Sequence, residues 1–355
     1  MKILFLANTT TQVFNAAILS HTTFDIYKCD VYYTKNVETQ VKYYKDEGYF
    51  ENVYKIELVA DVMSRRNMLT RSIVRIKNAL DLKKIIKNLP SNPREYERVL
   101  ASGVSLRNFE YYYAIKKINK NVKFSLYEEG ICEYVELSCP KDYFKILFSK
   151  IFFRHFIFED CDSLYVHSPA MVVNKWGNIE IKEIPSILEN ENFKKDTLKA
   201  FNYQGNELNG VKNKFIIIEQ AFPTQEEDKI QQQLITSITK EAGKENVFIK
   251  LHPRSHASKY TDYNTFSTKI PLEVIALNEE IFGNVFVSIT SSAVANFKLF
   301  FDREPTVILL SQCLKKNSDI YVTDFFDRLK GTYKENNFYF PKDYDEFLRI
   351  VRNIK

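Results

Sequence analysis

Short apolar runs alternate with amphipathic stretches from the first residues of the chain onward. Ile3 to Leu6 predict a buried strand, and polar Asn8 to Thr11 lead into a helical pattern from Gln12 to Leu19. The pattern goes on to predict strands at 25–28, 54–58, 98–101, 122–127 and 163–166, and helices at 37–47 and 68–88. Strand, polar turn and helix in repeated order are typical of a parallel α/β sheet.

The alternation restarts after a polar, charged segment. Residues 189–214 hold an Asn-Gly pair at 209–210 and favour an interdomain linker. The pattern then predicts strands at 215–219, 247–251, 285–289 and 305–310, and helices at 226–242 and 293–301. We therefore predict an α/β fold with two Rossmann-like domains that face a central cleft, at 1–190 and 205–335. The segment at 336–355 is open to crossing back to the first domain.

The length of the chain agrees with this division, and its charge limits the classes of partner to expect. The chain has 355 residues, more than one hydrophobic core usually supports. A net charge of +5 suits an anionic small ligand but falls short of a nucleic-acid-binding protein, so no nucleic-acid partner is expected. The chain has no long apolar run and no paired-cysteine motif, which predicts a cytoplasmic protein with reduced thiols.

Three polar clusters follow predicted strands and could carry chemistry. They are Tyr127-Glu128-Glu129-Gly130, Lys250-Leu251-His252-Pro253-Arg254 and Thr290-Ser291-Ser292. Each is a weak signal alone, because adjacent glutamates are common in solvated turns and serines commonly cap helices. Their order is informative, since ligands of parallel α/β sheets bind at the carboxyl ends of the strands.

This order resembles the bacterial sialyltransferases of glycosyltransferase families 38, 52 and 80, which share an acidic pair before glycine, a His-Pro and a serine pair. Glu133-Tyr134-Val135 extends the acidic motif, Pro271-Leu272-Glu273 lies between the two later motifs, and Thr11 to Ala16 are similar to the first loop of family 52. The resemblance covers nearly the whole chain and is strongest to family 52. It implies a GT-B fold and an inverting transfer of sialic acid from CMP-Neu5Ac without a metal cofactor.

The resemblance also implies a role for each motif residue. Glu128 or Glu129 is the expected base, although the acidic cluster at 226–228 competes for that role, and His252 is the expected acid or phosphate partner. The residues expected to bind the CMP donor are Lys250, Pro253, Glu273, Ser291, Ser292 and Gln220. Those expected on the acceptor or sugar side are Asn8, Gln12 and Gly130.

The chemistry fits these residue types independently of the resemblance. A CMP-sugar needs a base for the acceptor hydroxyl and stabilisation of the departing phosphate, which a carboxylate and a histidine can supply. Asp160-Cys161-Asp162 and Asp343-Tyr344-Asp345 mimic a metal-binding DxD motif, and His256 follows His252 at helical spacing. Such short patterns are frequent by chance, so we predict no metal and no cofactor.

Several alternatives stay open from the sequence. The donor could be CMP-Kdo or another CMP-activated ulosonate, the enzyme could be an epimerase or UDP-sugar transferase, or the chain could be a non-catalytic assembly protein. The expected acceptor is a glycan of bacterial capsule or lipooligosaccharide. The basic helix at 68–88 fits a solvated helix face or peripheral docking to the inner membrane. The apolar stretch at 144–158 fits a buried core helix, a homodimer interface or the same peripheral docking.

Overall fold

The structure is a computed structural model. It describes residues 1–56, 82–102, 106–135, 160–173, 179–205, 208, 211–220, 222, 225–252, 255, 257–266, 270–313 and 320–354. The stretch at 144–158 and most of the predicted helix at 68–88 lie outside these residues, as do Pro253 and His256. The membrane and homodimer predictions attached to the two segments therefore stay predictions.

Contacts within the chain divide it into two units. The first comprises Met1–Glu189 and Lys199–Phe201, and the second comprises Asn190–Leu198 and Asn202–Lys355. The boundaries expected from the sequence, 1–190 and 205–335, stay a prediction. Part of the polar segment expected to be a linker forms a helix, α5, at Glu191–Ala200.

The first unit contains a seven-stranded sheet in which every neighbouring pair is parallel, in the order β3-β2-β1-β4-β5-β6-β7. Its strands are β1 Lys2–Ala7, β2 Lys28–Tyr33, β3 Asn52–Lys55, β4 Tyr96–Ala101, β5 Lys123–Tyr127, β6 Cys161–Val166 and β7 Glu180–Glu183. Its described helices are α1 Thr10–His21, α2 Glu38–Asp46, α3 Leu82–Lys87 and α4 Leu106–Ile118. The strand order reverses between β1 and β4, which is where doubly wound folds open a ligand crevice.

The second unit repeats this plan with a six-stranded parallel sheet in the order β10-β9-β8-β11-β12-β13. Its strands are β8 Phe215–Ile218, β9 Val247–Lys250, β10 Asn264–Phe266, β11 Val285–Ser288, β12 Thr306–Leu309 and β13 Phe338–Tyr339. Its helices are α6 Gln225–Ala242, α7 Leu272–Asn278, α8 Asn296–Leu299, α9 Ile320–Lys330 and α10 Tyr344–Ile354. The order reverses between β8 and β11. The predicted α/β class, with two Rossmann-like sheets, is confirmed.

The central strands are apolar because both faces of a parallel sheet are covered by helices. Ile3 to Leu6 in β1 and all four residues of β8 are buried. The strand predicted at 25–28 is wrong, since β2 begins only at Lys28. The charged Asp30 interrupts the apolar run of β2, so the hydrophobic pattern does not predict this strand. Its carboxylate can be buried because it accepts hydrogen bonds from Tyr96 Oη (2.9 Å) and Asn52 Nδ2 (3.1 Å).

The last helix packs on the second unit. Phe347 and Val351, four residues apart on α10, are fully buried in the same core cluster as Leu234, Ile235 and Ile238 of α6. The sequence left residues 336–355 open to crossing back to the first domain, whereas these contacts lie within the second unit.

Replacing Phe347 should test this packing. Phe347→Ala removes a fully buried ring, and we expect the free energy of unfolding to fall by about 3–5 kcal/mol in urea titrations. Arg349→Ala, on an exposed position of the same helix, is the control and should change that free energy by less than about 0.5 kcal/mol. Equal stability of the two variants would show that α10 does not hold the second core.

Candidate active site

Glu129 lies two residues beyond β5, at the carboxyl edge of the first sheet. Its carboxylate accepts three hydrogen bonds, from Thr9 Oγ1 (3.0 Å), Gln12 Nε2 (2.7 Å) and Ser102 Oγ (3.3 Å). Thr9 follows β1 and Ser102 follows β4, so the carboxylate lies at the point where the strand order reverses. Three neutral donors thus hold a partly exposed carboxylate at the expected ligand crevice.

The residues around Glu129 are themselves held in place. Thr9 caps α1 by accepting a hydrogen bond from Gln12 N (3.3 Å), which is why the helix begins at Thr10. The buried Gln12 side chain turns its oxygen to Asn8 N (2.6 Å) and its amide nitrogen to Glu129. The structure therefore brings Asn8 and Gln12 together with Glu129, where they orient the carboxylate.

Glu128 has a different environment from its neighbour. It is 2% exposed, and its carboxylate accepts hydrogen bonds from His167 N (2.8 Å) and from Tyr134 Oη. Its carbonyl oxygen accepts from Asn15 Nδ2 (2.8 Å), and the same amide lies 3.1 Å from His167 Nε2. Burial lowers the pKa of His167 to about 3, so that ring is neutral at pH 7. Glu128 is therefore a buried link between β5, β6 and α1.

Glu133 lies one turn beyond the acidic pair. It ends a 3-10 turn at Ile131–Glu133, and its carboxylate reaches back to accept a hydrogen bond from Gly130 N (3.3 Å). Burial and, to a smaller extent, the negative charge of Glu129 raise the pKa of Glu133 to about 7. Gly130, expected on the substrate side, thus contributes a backbone donor to this turn.

Gln220 bridges the point in the second sheet where the strand order reverses. It follows β8, and its side chain exchanges two hydrogen bonds with Thr290 beyond β11, from Nε2 to Thr290 Oγ1 (2.9 Å) and from Thr290 N to Oε1 (2.8 Å). Its backbone exchanges two more with the Gln231 side chain of α6 (2.9 and 3.0 Å). Gln220 therefore joins β8, β11 and α6 at the carboxyl edge of this sheet.

His252 follows β9 at the same edge of the second sheet. Its backbone N–H donates to Glu219 Oε2 (2.9 Å), and its carbonyl oxygen accepts from Ser255 N (2.8 Å). The histidine is partly exposed, whereas Glu219 is buried. The main chain of His252 is therefore held on both sides.

Lys250 and Glu273 are buried side chains of the second unit. Lys250 Nζ donates to its neighbour's carbonyl, Leu251 O (3.4 Å), and Glu273 accepts a hydrogen bond from Asn296 Nδ2. Burial raises the pKa of Glu273, while the Asn296 amide and the positive charge of Lys250 act in the opposite direction. The positive charge of Lys250 therefore favours the ionised form of Glu273.

The serine pair does not begin the long helix predicted at 293–301. A 3-10 turn occupies Ser292–Val294 and α8 covers only Asn296–Leu299. Ser291 Oγ caps the turn by accepting from Ala293 N (3.3 Å), and Ser291 N donates to Ser288 Oγ (3.0 Å). The regular helix beyond Ser291 and Ser292 is therefore shorter than the sequence predicted.

The remaining acidic candidates lie in other surroundings. Asp228 of the 226–228 cluster pairs with Lys259, while Glu226 is exposed on the first turn of α6. Asp160 accepts from Tyr112 Oη (2.9 Å) and Asp162 pairs with Arg98 at the start of β6. The start of a parallel strand lies at the opposite edge of the sheet from Glu129. Within the described ranges, no three His, Cys, Asp or Glu side chains are grouped to hold a metal ion.

Four residues that shape these clusters were not predicted from the sequence: Thr9, Ser102, Glu219 and Asn296. Each lies within two residues of a strand end or in a short helix, but its partner is distant in sequence. One usable signal was present, since Glu219 ends an otherwise apolar run. An acidic residue in such a position must find donors when it is buried.

Comparison with known proteins identifies a family. A family model described as alpha-2,8-polysialyltransferase (POLYST) matches residues 4–310. No curated protein is similar enough in sequence to count as a relative. Every helix in the described ranges is too short or too polar to cross a lipid bilayer.

Solved structures show similarity in fold. A putative UDP-N-acetylglucosamine 2-epimerase from Listeria monocytogenes has a TM-score of 0.58 and 10% identity, covering 99% of this chain and 87% of that one. CalG4, the calicheamicin glycosyltransferase, has a TM-score of 0.57 and 8% identity, covering 100% and 90%. A UDP-GlcNAc 2-epimerase from Methanocaldococcus jannaschii has a TM-score of 0.53 and 12% identity, covering 100% and 99%. These similarities show a GT-B-like fold.

The raised pKa of Glu133 predicts a pH-dependent stability. The folded protein keeps a proton up to about pH 7 that the unfolded chain releases near pH 4.5. The stabilisation is therefore complete below about pH 4.5 and is lost as the pH rises to about 7, by about 3 kcal/mol. The glutamine of Glu133→Gln cannot titrate, so the free energy of unfolding of this variant in urea should rise relative to that of the wild type over this interval. Parallel curves for the two proteins from pH 4.5 to pH 8 would contradict the assignment.

Proposed function

The chain belongs to the alpha-2,8-polysialyltransferase family and is therefore a glycosyltransferase; we propose that it transfers sialic acid from CMP-Neu5Ac onto a growing glycan with inversion and without a metal. The family match supports the transfer of sialic acid, and the observation that carries the mechanism is the Glu129 carboxylate at the carboxyl edge of the first sheet. The proposed acceptor is a sialylated glycan of bacterial capsule or lipooligosaccharide. The nearest alternative donor is CMP-Kdo or another CMP-activated ulosonate.

Glu129 is the better of the two candidate bases. A base must reach the hydroxyl proton of the acceptor, and Glu129 is partly exposed at the crevice whereas Glu128 is buried under Tyr134 and His167. The hydrogen bonds from Thr9, Gln12 and Ser102 fix the orientation of the Glu129 carboxylate before the acceptor arrives. This preorganisation avoids reorientation during the reaction.

The second unit supplies the proposed donor contacts. His252 would hydrogen-bond or protonate the phosphate of CMP, Lys250 and the polar groups of Ser291 and Ser292 would add electrostatic stabilisation, and Glu273 would accept hydrogen bonds from ribose hydroxyls. Gln220 acts in this scheme by joining the ends of β8 and β11 beside the proposed donor site. Pro253 lies outside the described residues and keeps its sequence-based assignment to the donor site.

The proposed reaction is one displacement. Glu129 takes the proton of the acceptor hydroxyl as its oxygen bonds to the anomeric carbon, and the bond from that carbon to the phosphate oxygen breaks on the opposite face. The electron pair of that bond leaves with CMP, where His252 stabilises the new negative charge. Attack opposite the leaving group inverts the anomeric centre.

A donor assay tests the proposed function. CMP-Neu5Ac should yield CMP and a lengthened sialic acid chain, with slower release from CMP-Kdo and no turnover of UDP-GlcNAc. His252→Ala should lower CMP release by about 100-fold or more, as is typical for loss of an acid or charge-stabilising group. His21→Ala, at an exposed histidine of α1, is the matched control. Faster turnover of CMP-Kdo than of CMP-Neu5Ac would make CMP-Kdo the proposed donor. Absence of turnover with every donor and acceptor would favour the non-catalytic alternative.

Two neighbouring substitutions test the choice of base. Glu129→Gln should lower kcat by about 100-fold or more with little change in stability, because the amide cannot take the proton. Its oxygen can still accept from Gln12 and Ser102, and the Thr9 hydroxyl can turn to accept from its nitrogen. Glu128→Gln should mainly lower the free energy of unfolding, since it changes a buried carboxylate that accepts two hydrogen bonds. Steady-state kinetics and urea unfolding of both variants separate the roles. A comparable loss of kcat in Glu226→Gln, with Glu129→Gln still active, would move the base to the 226–228 cluster.

A further inference from the structure

Glu219 occupies the end of the central strand β8 in the second unit. It is 2% exposed, and its backbone N–H extends the pairing with β9 by donating to Lys250 O (3.0 Å). A carboxylate that is buried in this way is strongly destabilised unless donors or a cation accompany it. The neighbourhood of Glu219 supplies both.

Three groups converge on the Glu219 carboxylate. Oε2 accepts from His252 N (2.9 Å), while Oε1 accepts from Lys259 Nζ (3.0 Å) and Tyr260 Oη (3.0 Å). Lys259 also pairs with Asp228 in the first turn of α6. The carboxylate therefore joins β8 to the loop beyond β9, to the 3-10 turn at Ala257–Tyr260 and, through Lys259, to α6.

The contact with His252 has a specific consequence. It is made to the backbone N–H, and the carbonyl of the same residue accepts from Ser255 N (2.8 Å), so both sides of the peptide are held. The position of the Cα and Cβ atoms follows from this backbone, and the imidazole can then vary only in its side-chain torsions. A small misplacement of a catalytic group can lower the rate substantially.

We infer that Glu219 is a positioning residue that fixes the place of the His252 imidazole for contact with the departing phosphate. This inference rests on the proposed function, and it gives the buried carboxylate a role in turnover beyond stabilising the second sheet. Lys259 balances the charge of Glu219, so the carboxylate can stay buried beside the backbone of His252.

A double-mutant cycle tests whether Glu219 acts through His252. An amide has one acceptor oxygen where the carboxylate has two, so Glu219→Gln cannot accept all three donors. In the wild-type background we expect CMP release to fall about 10-fold to 100-fold in kcat, with the donor KM changed by less than about threefold. In the His252→Ala background the same substitution should cause no further loss, because the group that it positions is absent.

Glu279→Gln is the matched control. Glu279 also accepts a backbone N–H through its carboxylate, from Leu208 N (2.9 Å), and lies in the same unit immediately beyond α7. Its substitution should leave the kinetics of CMP release unchanged. If Glu219→Gln does not fold, Glu219→Leu combined with Lys259→Met removes the buried carboxylate together with its ammonium partner and replaces the single variant in the cycle.

The outcomes separate this inference from the proposed function. An equal fold-loss from Glu219→Gln in both backgrounds, or an unchanged kcat in the wild-type background, overturns the positioning role while leaving the function intact. An active His252→Ala enzyme overturns the role of His252 and this inference together. Hydrogen exchange at the His252 amide gives a readout besides activity, because protection should fall in Glu219→Gln and unchanged protection would show that the tether is not needed.

Discussion

Carboxylates that leave water must be supplied with donors, and this requirement shapes the carboxyl edges of both sheets. Glu128 directly follows β5, Glu219 directly follows β8, and each is 2% exposed. Each accepts the backbone N–H of a histidine that lies beyond the neighbouring strand, His167 in the first unit and His252 in the second. The same physical need thus fixes the loop after a strand in both units.

The two histidines differ in the surroundings of their side chains, although both residues are partly exposed. Desolvation lowers the pKa of the His167 ring to about 3, and its Nε2 lies 3.1 Å from Asn15 Oδ1. His252 follows the strand that carries Lys250. An equivalent backbone hydrogen bond therefore fixes a neutral histidine in the first unit, and in the second it fixes the residue proposed as the phosphate partner.

The sequence predicted the sheets well and the site only in outline. Apolar runs such as Phe215 to Ile218 identify buried strands because both of their faces are covered. The pattern failed at β2, where buried Asp30 interrupts the run and its partners Asn52 and Tyr96 are remote in sequence. At 293–301 it predicted one helix, whereas the structure has a 3-10 turn at Ser292–Val294 and the short α8.

The acidic motif shows the same limit within the site. Its spacing identified Glu128 and Glu129 together but could not rank them, because exposure is set by residues that lie more than 100 positions away in the chain. Gln12 and Thr9 reach Glu129 from 117 and 120 residues away. Only the folded sheet shows that one glutamate faces the crevice and the other lies beneath it.

The kind of donor around each carboxylate distinguishes reactivity from positioning. The three described partners of Glu129 are hydroxyl and amide groups, which orient the carboxylate without cancelling its charge. Glu219 instead has the ammonium group of Lys259 beside it, which neutralises it and suits a permanent buried link. A base must keep its negative charge until the acceptor proton arrives, and a nearby ammonium group would oppose that transfer by favouring the ionised carboxylate. Neutral donors at Glu129 and a cation beside Glu219 are therefore consistent with the two proposed roles.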